Sequence, residues 1–145
     1  MAGNINFYPS QPVSVNTSAL DVIDLAERCE LLTDVLIDCN NPAECAALCH
    51  HLNAHLDALK ENLEKPLSPG RIEQLSVNSP SDFPESHWLA DSDDLCDYCQ
   101  VVTQMLLCHS LPLKTAHTLT GLLMRLVNTL VDDLKTPRFL REQTV

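Results

Sequence analysis

The chain has 145 residues, 45% of them hydrophobic and only 4% aromatic. That is enough apolar material for one buried core and too much for a disordered chain. A net charge of −11 argues against direct nucleic-acid contact and against docking on an anionic membrane.

No apolar run approaches the roughly 20 residues of a bilayer span. The opening Met-Ala-Gly-Asn-Ile-Asn-Phe-Tyr-Pro lacks a basic region followed by an apolar stretch. A cytoplasmic protein without a signal peptide is therefore expected. Residues 1–17 are polar, carry Pro9 and Pro12, and read as an irregular arm that Phe7 and Tyr8 could dock.

The first hairpin is expected over 18–65. Its first helix starts near Ser18, with Asp21 as an acid in the first turn. Val22, Leu25, Cys29, Leu32, Leu36 and Cys39 step by threes and fours, which is one apolar stripe. Asn41, Pro42 and Glu44 form a strong start signal for the second helix. There Cys45, Cys49, Leu52, Leu56, Leu59 and Leu63 alternate spacings of four and three, the rhythm of a bundle seam.

Residues 66–90 hold four prolines and five serines and read as a linker, with room for one short turn over Ile72–Val77. The second hairpin is expected over 91–136. Its first helix spans about Asp91–His109, with Leu95, Cys99, Val102 and Leu106 inward. Its second runs from Pro112 to about Lys135, with Ala116, Leu119, Leu123, Leu126, Leu130 and Leu134 lining one side, widened by Leu122 and Val127. A tail, 137–145, follows.

The two hairpins repeat. Shifted by 70 residues without a gap, positions 21–66 match 11 times in 46, where about four matches arise by chance. Among the matches are Asp21/Asp91, Cys29/Cys99, Thr33/Thr103, Leu52/Leu122 and Lys65/Lys135. The expected fold is all-α, an antiparallel four-helix bundle built from two repeated hairpins in one domain. A hairpin swap, or a homodimer through the broad apolar face of the last helix, is the alternative assembly.

Chemistry is sparse. Seven cysteines without a secretory signal predict free, mostly buried thiols. Cys96, Cys99, Cys108 and His109 are the one arrangement with zinc-ligand character, but paired knuckles are missing. Cys96-Asp-Tyr-Cys99 lacks the βαβ setting of a dithiol catalyst, and Asp94 and Asp97 would raise its thiol pKa values. His51 and His55 lie one turn apart, yet Leu52 stands where a metalloprotease needs glutamate. They are expected to face solvent. No nucleophile elbow or phosphate loop occurs, so neither an enzyme nor a cofactor is expected.

What remains is charge layout. Residues 21–64 and 91–112 carry net charges of −8 and −4, whereas 113–145 carry +2. Glu27, Glu30, Asp34 and Asp38 span an arc of about 80° opposite the first helix's stripe. Asp91, Asp93, Asp94 and Asp97 form a second cluster. With Trp88 or the last helix supplying apolar contact, these carboxylates suit basic protein partners, a DNA-binding protein among them. The chain then reads as a non-enzymatic regulator or inhibitor that steers its partner electrostatically. The alternative is a structural or metal-carrying bundle that uses its Cys and His residues. Direct nucleic-acid contact through Arg125, Lys135, Arg138 and Arg141 is the weakest option.

Overall fold

A computed structural model describes residues 20–85, 91–108 and 110–142. They are mostly helical: α1 Val22–Ile37, α2 Pro42–Asn62, α3 Pro69–Gln74, α4 Ser92–Leu106 and α5 Leu113–Lys135. No described helix is long and apolar enough to cross a membrane. Of the four long helices, α1 packs on α2 and α5, and α4 packs on the same two.

The start of α1 differs from the sequence reading. The cap is Asp21, not a residue near Ser18. Asp21 accepts hydrogen bonds from the backbone of Ile23 (3.0 Å) and Asp24 (2.9 Å). Asp24 returns one from the Asp21 backbone at 3.1 Å. This closed box satisfies three amide groups at the start of α1 that have no acceptor within the helix. The α2 start follows its signal: Asn41 Oδ1 accepts from Ala43 and Glu44, with Pro42 in the first turn. The second hairpin has no such caps. Neither Asp91 nor Pro112 makes a side-chain cap bond, and α4 stops at Leu106, short of His109.

The core is aliphatic and sulfurous. Leu25, Cys29, Leu52, Leu56, Leu59, Cys96, Cys99, Leu123, Val127 and Leu130 are fully buried. At a spacing of 70, α1 and α4 superimpose in pattern: Leu25/Leu95, Ala26/Cys96, Cys29/Cys99 and Thr33/Thr103 are buried in both. Both threonine hydroxyls are satisfied locally, Thr33 on the Glu30 carbonyl and Thr103 on the Cys99 carbonyl. Hydroxyls bonded to their own helix can sit in a core at little cost.

In the second helices the spacing becomes 71. Leu52, Leu56 and Leu59 correspond in burial to Leu123, Val127 and Leu130, while Leu122 is 45% exposed. The cause is loop length. Four residues separate α1 from α2 and six separate α4 from α5, whereas α4 is only one residue shorter than α1. The extra residue turns the stripe of α5 by one position, so Leu123 is buried in place of Leu122.

Over residues 66–85 the connection between hairpins carries regular structure that a linker reading leaves out. Ser68 caps α3, and Leu75 enters the core. Ser76–Val77 (β1) pairs in parallel with Phe139–Leu140 (β2), so the tail is tied back onto the connection. No strand was expected in either place. Arg141 secures the junction with bonds to Glu73 (2.7 Å) and Asn78 (2.9 Å).

Candidate functional site

The expected acidic stripe resolves into two kinds of carboxylate. Glu27 lies half-buried on α1 and meets Lys135 of α5 at 3.1 Å. Asp97, its counterpart 70 residues on, is paired with Lys60 of α2. Each acid sits beside the second helix of the other hairpin, near that helix's C-terminal end, where a lysine also suits the helix dipole. Both pairs are open to solvent, so each adds little stability. They do neutralise two of the acids assigned to docking.

The others stay free of ion pairs among the described residues. Glu30 is half-buried, and Asp34 and Asp38 are exposed at the C-terminal half of α1. Asp91, Asp93 and Asp94 are exposed around the start of α4. Trp88 and His109 lie outside the described residues.

Beside the free acids sits a feature absent from the sequence reading. Leu31 and Val35 are 65% and 57% exposed on α1, one turn apart and adjoining Asp34 and Asp38. Val101 and Met105, their counterparts on α4, are also exposed, with Tyr98 one turn before Val101. The signal was present as adjacent apolar residues: Leu31 and Leu32 cannot both face one core on a helix with 3.6 residues per turn. Leu32 packs against the core and Leu31 is left outside.

The thiols fall into separate environments. Cys29, Cys96 and Cys99 gather in the core, and each is fully buried. Burial pushes the Cys29 thiol far up, and Cys99 and Cys96 add to the effect. Cys96 is pushed up to about 12 by burial, then by Asp93 and Asp97. Cys99 reaches about 12 through burial and its neighbour Cys96. Such thiols are packing groups at neutral pH. Cys108 is exposed beyond the end of α4. No three His, Cys, Asp or Glu side chains among the described residues are placed to hold a metal ion.

Of the histidine pair only His51 faces water; His55 is 7% exposed. Its Nδ1–H donates to the His51 carbonyl at 2.7 Å, which satisfies one ring nitrogen within the helix and permits burial.

One open cleft of about 710 Å³ lies where α2 ends and α4 begins. Its rim mixes Lys60, Lys65 and Arg138 with Glu61, Glu64 and Asp91. No cysteine or histidine among the described residues lines it, and its alternating charges select no ligand of one sign. Arg138 is thereby part of a mixed rim. No protein-family model, curated protein or solved structure matches the chain.

Proposed function

We propose that the four long helices form an antiparallel four-helix bundle, one domain made by duplication of a hairpin, and that it acts as a non-enzymatic interaction protein. The pairwise packing of α1, α2, α4 and α5 supports the bundle. The matched burial of the two halves supports the duplication.

Its docking surface is the outer face of α1, and its partner is a basic protein whose nucleic-acid-binding surface the bundle would occlude. One observation carries this reading: exposed Asp34 and Asp38 flank exposed Leu31 and Val35. Carboxylates would steer a cationic partner in, and the apolar step would supply contact area that desolvates on docking. Glu27 drops out of the proposed surface because Lys135 holds it. The second acidic cluster, Asp91, Asp93 and Asp94 on α4, would add to the long-range field.

The test is capture from lysate with three forms of the chain. Wild type and a control reversed at exposed Asp82 and Glu85 should retain the same basic partner. The Asp34→Lys/Asp38→Lys form should lose it at least tenfold. Undiminished capture by that form would overturn the assignment of the face.

A further inference from the structure

Three cysteines meet at the turn between α1 and α2, away from the Cys29, Cys96 and Cys99 cluster and just beyond Asp38 at the edge of the docking face. Cys39 lies two residues beyond α1, and Cys45 and Cys49 occupy the first two turns of α2. The short turn makes the two ends cross. Cys45 Sγ reaches back to the carbonyl oxygen of Cys39 at 3.5 Å. Cys39 Sγ reaches forward to the carbonyl of Asn41 at 3.6 Å and to Glu44 Oε2 at 4.0 Å. Backbone bonds hold both residues in place: Cys39 N–H to Leu36 at 3.1 Å, Cys45 N–H to Asn41 at 2.9 Å. Cys39 and Cys45 are half-buried, so a small oxidant can reach them, whereas Cys49 is 2% exposed.

We propose that Cys39 and Cys45 form an oxidisable dithiol, a modification site that closes to a disulfide across the α1–α2 turn when a hydroperoxide is present. The bond suits this place because the Cys45 sulfur already lies against the Cys39 backbone within a short turn, and the enclosed loop is short. In a reducing compartment the pair stays open, as intracellular thiols do, and closure is transient.

Burial first, then the hydrogen-bonding Cys39 thiol, pushes Cys45 up to about 12. Oxidation from either sulfur ends in the same bond, and the proposed path begins at Cys39. Its sulfur attacks one oxygen of the hydroperoxide, the O–O bond breaks, and the leaving oxygen departs as water or alcohol with the Cys39 proton. Cys39 is now a sulfenic acid. The Cys45 thiol attacks that sulfur as its proton passes to the departing sulfenic oxygen, the S–O bond breaks, and water leaves. Two thiols are oxidised and one hydroperoxide is reduced. Cys49, one turn below Cys45 and held at about 11 by burial and by Cys39, is not needed.

The test uses the full chain carrying Cys108→Ser, which removes the exposed thiol that would cross-link two molecules. The folded protein is treated with stoichiometric hydrogen peroxide and cut after glutamate under non-reducing conditions. Cleavage after Glu44 separates Cys39 from Cys45. The expected result is a linked peptide pair, two hydrogens lighter than its parts, that dithiothreitol releases. It should persist in Cys49→Ala and vanish in Cys45→Ser. Loss of the link in Cys49→Ala, its survival in Cys45→Ser, or Cys39 recovered as sulfinic acid with no link would each overturn the proposal.

Discussion

Replacing Leu123 with alanine should destabilise the protein by about 2–5 kcal/mol, whereas the same change at neighbouring Leu122 should stay within about 0.5 kcal/mol. Leu123 is fully buried and Leu122 is 45% exposed. Truncating the first removes transfer energy and leaves a cavity among well-packed side chains. Truncating the second removes contacts that water replaces. The comparison is sharp because the two positions compete for the same role. In a gap-free repeat, Leu122 would be the counterpart of fully buried Leu52, and the order of the two effects would reverse. Urea midpoints of the two variants and of Leu52→Ala decide it. Leu52→Ala and Leu123→Ala should be similar, and Leu122→Ala should overlay the parent.

Arg71→Ala should cost about 1–2 kcal/mol at neutral pH, a value reduced for partial exposure of its partners. Arg71 arrives from α3, forty-seven to fifty residues beyond the start of α1. Its Nε donates to Asp21 at 2.8 Å, and a second nitrogen donates to Asp24 at 3.0 Å. The guanidinium thus clamps the connection onto the capping box of α1. Burial alone would raise the Asp21 carboxyl, but the Arg71 hydrogen bond, the Asp24 backbone N–H and the Arg71 charge together hold it below the ordinary 3.8.

A depressed carboxylate pKa contributes stability that is fully present above the unfolded value and is lost as pH falls through the folded value. The gap between wild type and Arg71→Ala should therefore hold steady near neutrality and narrow as pH drops below about 4. A gap that stays constant or widens in acid would rule out the clamp. Arg71→Lys should recover only part of the loss, because an ammonium cannot engage both carboxylates in the same fork.

The helices were legible because burial obeys a local rule. Val22, Leu25, Cys29, Leu32 and Leu36 step by threes and fours, and all are buried except half-buried Leu32. Asn41-Pro42 announces α2 with groups only a few residues apart. Legibility failed where two local patterns were equally good or where the deciding partner was distant. Ser18 with Asp21 and Asp21 with Asp24 both have the spacing of a capping box, and Arg71, which rewards the second, lies far along the chain.

The second hairpin failed in the same way. Leu122 and Leu123 are adjacent, so a shift of 70 matches Leu52 to one and a shift of 71 matches it to the other. Leu48, Leu59, Leu63 and Pro66 in fact meet Leu119, Leu130, Leu134 and Pro137 at 71. The longer second loop selects that register.

A helical wheel places the carboxylates of the acidic stripe but not their partners. Glu27 and Asp97 find lysines 108 and 37 residues away, a pairing that no helical wheel contains. His55 shows the reverse problem. A polar ring was expected in water, and a backbone bond inside its own helix let it join the core.

The docking account rests on charge acting together with an apolar step, so the salt dependence of binding tests it most directly. The measurement is the Kd of the captured basic partner for wild type and for Asp34→Lys/Asp38→Lys, from about 50 to 500 mM salt. The account predicts that wild-type affinity falls steadily as salt rises, and that the reversed form binds weakly with a flat or inverted dependence. Wild-type affinity indifferent to salt, or equal slopes for the two forms, would contradict it.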